Sequence, residues 1–445
     1  MDFYLDEEQK SKYRTVLVIS LFFVLALGVV LWFWQMQRAI PDKMILFEGR
    51  QENLSFSVPF GEIRFVQPEE KTAPISQNST ETVNDTIQVS VNSSEKARGN
   101  ITFSISEPVS VTADGTGSLQ AQVKLFGWLH YKNIQIDVVE ETKVMPVGKA
   151  VGLYIHADGV MVLGTGKVLG EDGVERQPAY GILQSGDYIY KVNGEDVRTI
   201  EDVSQQIQKS GQEQVILEVN REGNKIQVKV TPILAKNGRY QIGAWLREDT
   251  EGIGTLSFVT ENNQFAALGH GITDADTGLL IRLENGGLYS ARIDHVEQGK
   301  SGSPGQLVGS VELGPQSRLG TIENNTSLGI TGDISKEEYL YNEARAIELG
   351  RKQEVEEGEA AILCQLGDEV KEYTVEIEKV HVSSKDNKGM EIHVTDKELL
   401  EDAGGIVQGM SGAPLIQNGK CIGAVTHVFV KDVTRGYATF IENML

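Results

Sequence analysis

The sequence has only two cysteines, Cys364 and Cys421, among its 445 residues. Two thiols cannot form a framework of several disulfides, and alone they cannot complete a zinc site. Both lie in apolar, strand-like runs, which favours buried free thiols. A single disulfide between them stays open if the domain lies outside the cytoplasm.

An excess of positive charge is also absent. The formal net charge is −22, with 41 Lys and Arg residues against 63 Asp and Glu residues. Because phosphate groups bind to cationic surfaces, this balance argues against nucleic acid as a partner and against broad adhesion to anionic lipid. For most of these carboxylates, the simplest role is to keep the surface soluble.

The sequence has only one long apolar run. Residues 16–34 are 19 uncharged residues in succession, enough to cross a bilayer as a helix. Lys10, Lys12 and Arg14 form the denser basic flank, which should stay cytoplasmic. No small-x-small cleavage motif follows. We therefore predict a signal-anchor at 16–34, a cytoplasmic segment at 1–15 and export of the rest, rather than a cleaved signal peptide or a buried core helix.

The rest of the chain has the pattern of a mainly β protein. A β-rich segment covers 40–140 and is interrupted by 67–100, whose polar composition predicts a disordered insert. Many strand patterns with frequent Gly and Asn over 240–445 favour β-barrels over alternating βα units. Residues 336–349 are the exception and are predicted as a helix or an acidic loop.

The segment 145–235 resembles a PDZ domain, most closely over 181–197. Such domains bind the C-terminus of a peptide, whose carboxylate is held by amide groups of a glycine turn while its backbone adds to the sheet edge. The matching residues for this carboxylate site are Val151, Gly152, Leu153 and Tyr154. The alternative is that Gly152 only makes a turn.

The segment 405–415 places Ser411 between glycines, just before a hairpin whose turn is Asn418-Gly419. Glycines allow a sharp bend, so the N–H groups of Gly409 and Ser411 can converge on one point. This arrangement predicts a nucleophile loop of trypsin-like type, with these two amides as the oxyanion hole.

A serine nucleophile needs a base, and His270 is the best candidate among the seven histidines. It lies between glycines at a strand end, 141 residues before Ser411 (411 − 270), a spacing that suits two barrels with a cleft between them. His427 lies in a strand pattern and is predicted as a packed or hydrogen-bonded residue. The segment 299–304 repeats the G-x-S-G-x-P spacing, but no hydrophobic hairpin follows it, so we predict a turn between strands.

An acid should orient the imidazole. Sequence spacing leaves several aspartates open for this role: Asp274, Asp276, Asp294, Asp333 and Asp396.

The anchor, the PDZ-like segment, the run Leu268–Ile272 and the block from Gly404 through Val430 together resemble the stage IV sporulation protein B peptidases of spore-forming Firmicutes. The resemblance implies a chymotrypsin-like serine endopeptidase with two barrels over 240–445 and His270, Asp396 and Ser411 as its triad. It further implies secretion into the space between the two spore membranes and self-cleavage. The remaining implied step is cleavage of a regulatory membrane protein. This cleavage releases an intramembrane protease that matures pro-sigma-K.

No metal or organic cofactor is expected for this chemistry. Two other functions stay open from the sequence. One is a membrane-anchored PDZ scaffold with an inactive barrel, and the other is a quality-control protease of HtrA type.

Overall fold

In the computed structural model the described residues are 7–54, 56, 58–66, 88–91, 94–97, 102–105, 109–140, 142–335, 345–384 and 386–445. The chain divides into two compact units. The first contains Met1–Glu141 with Arg351–Gln353 and His381–Lys385, and the second contains the remainder.

The first unit has one long helix followed by short strands. They are α1 (Glu7–Ala39), β1 (Lys43–Phe47), β2 (Gln51–Leu54), β3 (Gly61–Val66), β4 (Gln88–Val91), β5 (Ser94–Ala97), β6 (Thr102–Ser104), β7 (Val109–Asp114), β8 (Gly117–Leu125) and β9 (Leu129–Val139). Within α1, the stretch Arg14–Trp34 is long and apolar enough to cross a membrane, and none of it is buried.

Two sheets make up the β part of this unit, with strand orders β1-β9-β8-β3-β6 and β2-β7-β4-β5. They share one hydrophobic core because alternate residues of each strand are apolar. The structure differs from the predicted disordered insert, since β4 and β5 fall inside 67–100. Apart from β4, which ends at Val91, and β5, the residues of that insert lie outside the described part of the chain.

The second unit opens with a strand of 23 residues, β10 (Lys143–Thr165). After it come β11 (Val168–Leu169), β12 (Glu175–Arg176), β13 (Tyr188–Val192), β14 (Glu195–Asp196), α2 (Ile200–Ser210), β15 (Val215–Arg221), β16 (Asn224–Val230), β17 (Ile233–Leu234) and β18 (Tyr240–Gln241). Helix α2 begins directly after Thr199, which forms a capping box with Asp202. Val203 and Ile207 are buried in a separate core under this helix.

The next strands are β19 (Ala244–Thr260), β20 (Gln264–Ala267), β21 (Leu283–Glu297), β22 (Gln306–Val311), β23 (Arg318–Thr326) and β24 (Gly329–Ile334). All of these except β22 close a barrel with β10. The order is β10-β19-β20-β24-β23-β21, since β21 pairs back with β10. Its interior is filled by alternate apolar residues, among them Val151, Leu153 and Ile155 of β10.

The last elements are β25 (Ile347–Glu348), β26 (Gly358–Gln365), β27 (Val370–Val380), β28 (Met390–Val394), α3 (Lys397–Ala403), β29 (Pro414–Gln417), β30 (Lys420–Val428), β31 (Arg435–Phe440) and the 3-10 helix Ile441–Asn443. Six of the strands form a closed barrel, β26-β27-β28-β31-β30-β29. Of the predicted helix or loop at 336–349, residues 336–344 lie outside the described part, and Ile347–Glu348 is a short strand.

The prediction of a mainly β chain with two barrels is therefore confirmed, but the PDZ-like segment is connected differently from the expected order. Its strands and α2 lie between β10 and β19, and both of these strands continue into the first barrel. The barrel thus starts with β10, upstream of the segment predicted as its beginning at 240.

Candidate active site

Ser411 lies in a loop of the second barrel between α3 and β29. The φ angles of Gly409 and Gly412 are 99° and 98°, values that strain a residue with a Cβ atom. A Cβ on Gly412 would also lie 2.1 Å from the carbonyl oxygen of Thr255. Glycine at these positions lets the loop bend sharply and pack closely against the first barrel.

Thr255 of β19 fixes this loop through two hydrogen bonds. Its N–H donates to the Ser411 carbonyl at 3.0 Å, and its hydroxyl donates to the Gly409 carbonyl at 2.7 Å. Across the described residues, the N–H groups of Gly409 and Ser411 donate to no acceptor. Their use as an oxyanion hole stays a prediction, and this free pair of donors favours it.

His270 follows β20 through two residues with positive φ, Leu268 at 71° and Gly269 at 67°. Its Nδ1 lies 3.0 Å from the carbonyl oxygen of Gly271. A carbonyl only accepts, so this contact places the ring proton on Nδ1 and leaves the Nε2 lone pair as the base. Burial lowers the pKa of His270 below its ordinary value, so the ring is neutral near pH 7.

The structure brings His270 and Ser411 to one cavity of about 270 Å³, whose lining also includes Leu153, Glu251, Ile272 and Gln408. The Ser411 hydroxyl donates to the carbonyl oxygen of Thr426 at 2.9 Å. No hydrogen bond joins it to His270 in the part of the chain that the structure describes. For His270 to act as the base, the hydroxyl must give up its bond to Thr426 and donate to the imidazole instead, because a general base accepts the proton directly.

A second imidazole, that of His427, lies beside this pair. The ring centroids of His270 and His427 are 5.2 Å apart. Burial, and then the nearby His270 and Lys388, lower the pKa of His427 to about 4. This residue, predicted only as packed in a strand, thus sits next to the candidate base as a neutral ring.

The structure does not bring Asp396, the predicted third member of the triad, to His270. Asp396 is the N-cap of α3, where one carboxylate oxygen accepts from the Leu399 N–H at 3.1 Å. The other oxygen accepts from the Thr374 N–H at 3.3 Å. The physical reason is local, since an aspartate before a helix satisfies backbone donors that otherwise lack acceptors.

The other aspartates considered for the triad also have partners elsewhere. Asp274 and Asp276 both bind Arg247. Asp294 pairs with Arg292 at 3.1 Å, and Asp333 lies in β24 at an exposed position. Among the described residues, the group that orients His270 is the backbone carbonyl of Gly271.

Val151, Gly152, Leu153 and Tyr154 lie in the middle of β10, where they pair with both β19 and β21. This differs from the predicted carboxylate-binding turn of a PDZ domain, because a strand paired on both edges has no free ladder for a peptide. Gly152 is required instead by close packing, since a Cβ there would lie 2.2 Å from Val311. Tyr154 donates to Asp249 at 2.7 Å.

Thr255 and Thr426 are site residues that the sequence analysis missed. Both are almost fully buried. Thr255 contacts the nucleophile loop from a strand that is 154 residues away in sequence, and Thr426 does so from the nearby β30. Only the position of Thr426 offered a signal, since it lies in β30, the second strand of the hairpin that follows Ser411. The two thiols are both free and buried, as predicted.

Two closed barrels with a serine and a histidine at one cavity define the class of chymotrypsin-like serine peptidases. No cluster of metal-ligating side chains occurs within the described ranges.

Comparison with known proteins gives the family. The model of SpoIVB peptidase S55 matches residues 238–445, and a PDZ domain model matches residues 171–221. Residues 238–445 thus form a peptidase domain of the SpoIVB S55 serine peptidase family, and the chain also contains a PDZ domain. No curated protein matches the chain.

Among solved structures, the PDZ domain of the SdrC-like protein from Listeria monocytogenes is similar at 23% identity. The match covers 20% of this chain and 87% of that chain, with a TM-score of 0.16.

Proposed function

We propose that the protein is a serine endopeptidase in which Ser411 attacks the substrate carbonyl and His270 takes its proton on Nε2. The N–H groups of Gly409 and Ser411 bind the oxyanion of the tetrahedral intermediate. His270 then gives its proton to the leaving amine, and water hydrolyses the acyl-enzyme by the same route. The shared cavity of His270 and Ser411 is the observation that carries this proposal.

The triad role of Asp396 that the family resemblance implies would require its carboxylate to leave α3. The bonds from Leu399 and Thr374 oppose such a movement. We therefore propose a Ser411–His270 dyad whose tautomer is held by the Gly271 carbonyl.

We further propose the role that the family resemblance implies in sporulation. The enzyme would be anchored by its N-terminal helix, with the catalytic part between the forespore and mother-cell membranes. There it would cleave itself and a regulatory membrane protein, and so trigger maturation of pro-sigma-K by an intramembrane protease. The helix at Arg14–Trp34 supports the anchor, and the basic flank before it supports this orientation.

The test compares Ser411→Ala with Ser301→Ala in the full-length chain. Ser301 is the matched control, because it holds the same place in the second G-x-S-G-x-P sequence. It lies in the turn between β21 and β22 and donates to the Lys431 carbonyl at 2.7 Å. We expect self-cleavage and pro-sigma-K processing to disappear in Ser411→Ala and to persist in Ser301→Ala.

N-terminal sequencing of accumulated fragments identifies the cleavage sites. Identical fragments from wild type and Ser411→Ala would show that another protease cuts the chain. Cleavage confined to one or two membrane-protein substrates would favour a signalling role over general quality control, whereas broad digestion of casein would contradict it.

A further inference from the structure

The described part of the first unit exposes few large apolar side chains outside α1. They are Phe60, Phe126, Trp128 and Leu129, which are 65%, 54%, 76% and 38% exposed. All four lie in or beside two neighbouring turns, the one before β3 and the one between β8 and β9. We call these four residues the aromatic tip. Contiguous exposed apolar surface marks a site that binds a protein or a membrane.

The backbone holds two of these rings in an unfavourable conformation. The φ angles of Phe60 and Phe126 are 59° and 55°, in the left-handed region that large side chains avoid. The N–H of Phe126 donates to the Phe60 carbonyl at 2.9 Å, and the two rings stack with their centroids 5.3 Å apart. Asparagine or glycine would suit both positions better. Strained backbone concentrates at functional sites, which indicates a role for the exposed rings.

The aromatic tip points back along the chain toward the membrane helix. Helix α1 leads into β1, and β1 runs parallel to β9 from the pair Lys43 and Gln135 onward. The beginning of β9, and the turn before it, therefore lie on the side from which α1 arrives. Tyr131, the third residue of β9, packs edge-on against Phe33 with ring centroids 4.7 Å apart and donates to its carbonyl oxygen at 3.0 Å.

This contact gives the depth of the tip relative to the helix. Phe33 belongs to the stretch Arg14–Trp34, which is long and apolar enough to cross a membrane. Trp128 precedes Tyr131 by three residues, which span about 10 Å in an extended strand. The tip thus reaches past the contact between Tyr131 and Phe33, toward the apolar part of α1. When α1 spans a bilayer, the tip lies at the boundary between headgroups and acyl chains, where aromatic side chains are favoured.

The charged groups next to the tip balance one another. Glu62 and Lys124 lie two residues from Phe60 and Phe126, and they are partners in the register of β3 and β8. Anionic lipid attracts clusters of basic residues, and the net charge of the chain is −22. The tip therefore suits a zwitterionic lipid surface, to which it binds through its apolar rings.

We propose that the aromatic tip inserts into the leaflet that faces the first unit, beside the end of α1, and so attaches this unit to the membrane at a second point. The partner is the boundary between headgroups and acyl chains of a zwitterionic bilayer. The helix and the tip together fix the orientation of the unit, because a single helix leaves it free to rotate about the helix axis. This inference rests on the membrane-spanning role of α1 proposed above.

The experiment measures the depth of a fluorescent probe in the full-length protein, reconstituted in phosphatidylcholine nanodiscs. The probe is attached to Leu129→Cys, which keeps all three rings, or to the control Thr116→Cys. Thr116 is exposed at the other end of β8, and the native thiols are buried and stay unlabelled. We expect lipids with a nitroxide near the headgroup to quench the probe at Leu129→Cys and to leave the control unchanged. Aqueous iodide should quench only the control.

Variants of the two rings separate a membrane contact from a structural role. Phe60→Asn combined with Phe126→Asn removes both rings and suits the left-handed backbone. In the Leu129→Cys protein, we expect this pair to lose most of the quenching by lipid and to gain quenching by iodide, while the thermal midpoint stays equal or rises. Phe60→Tyr combined with Phe126→Tyr should keep the original pattern, since tyrosine also favours the interface. A lower midpoint in the asparagine variant, with unchanged quenching, would overturn the proposal.

A third probe position separates this inference from the anchor. Val24 is exposed in the middle of Arg14–Trp34, and Val24→Cys should be quenched by a nitroxide at the end of the acyl chain. Quenching there without quenching at Leu129→Cys would overturn the role of the tip and leave the anchor intact, and no quenching at either position would overturn both. Cross-linking of two chains through Leu129→Cys, in place of quenching, would make a second copy the partner and would also overturn the proposal.

Discussion

At the scale of single residues, the hydroxyl of Ser411 and its proposed base, His270, line one cavity. The hydroxyl is bound to the Thr426 carbonyl, while His270 already has its proton on Nδ1 through the Gly271 carbonyl. The proposed catalytic residues thus share one cavity, and in the proposed mechanism the Ser411 hydroxyl exchanges its bond to Thr426 for one to His270.

The titration of His270 gives the first residue-scale prediction. The base must be neutral, and burial lowers its pKa below 6.5, so activity should persist into mildly acidic solution. We expect kcat/KM to fall to half on the acid side at a pH below 6.5. Measurement of kcat/KM between pH 4 and 8 tests this expectation, and a midpoint above 7 would show that a charge stabilises the imidazolium.

Asp396 gives the second residue-scale prediction. Asparagine caps helices about as well as aspartate, whereas alanine costs about 1 kcal/mol. If Asp396 acts as a cap, Asp396→Asn should keep near-normal kcat, and Asp396→Ala should lower the free energy of unfolding by about 1 kcal/mol. A fall in kcat of about 10⁴-fold in Asp396→Asn, with normal stability, would instead identify it as the acid of a triad.

At the scale of elements, the main finding is that β10 and β19 belong to two structures at once. One part of each strand closes the first barrel, and the other part supports the PDZ domain. The two hydrophobic cores are nevertheless separate clusters. The PDZ domain is therefore an insertion between two barrel strands rather than a domain that precedes the barrels.

This connection predicts the outcome of two deletions. His156 pairs with Asp249, so an Asn-Gly turn that replaces 157–248 would close a hairpin and leave both barrels complete. We expect this variant to fold and to be labelled by a fluorophosphonate at the wild-type rate. Deletion of 145–235, the boundary predicted from sequence, removes most of β10 and should yield an unfolded product by circular dichroism and limited proteolysis. Equal folding of the two variants would contradict the insertion.

At the scale of the whole molecule, the described residues include one helix long and apolar enough to cross a membrane, and the proposed function uses it as an anchor. Burial raises the pKa of Cys364 and of Cys421 to about 12, so neither native thiol should react in the folded protein. Introduced cysteines can therefore report on which side of the membrane each segment lies.

We expect Glu195→Cys, at an exposed position, to react with a membrane-impermeant maleimide on intact spheroplasts. Lys12→Cys should react only after the membrane is permeabilised, because the proposed orientation places the basic flank of the helix in the cytoplasm. The reverse pattern of labelling would invert the proposed orientation.

The sequence alone determined the features that depend on local chemistry. Glycines around Ser411 and His270 identified both residues, because sharp turns require residues without a Cβ atom. An uncharged run identified the helix that is long and apolar enough to cross a membrane, and alternation of apolar residues identified the mainly β class.

Tertiary structure alone decided which distant groups meet. The glycine-containing segments 151–154 and 242–244 look alike in sequence, and only strand pairing shows that the first lies inside β10 of a barrel, whereas the second leads into the start of β19. The partner of Asp396 and the attachment of Ser411 to Thr255 were likewise unreadable. Hydrogen bonds between segments separated by more than a hundred residues, such as Thr255 with Gly409, depend on register, which the order of residues does not state.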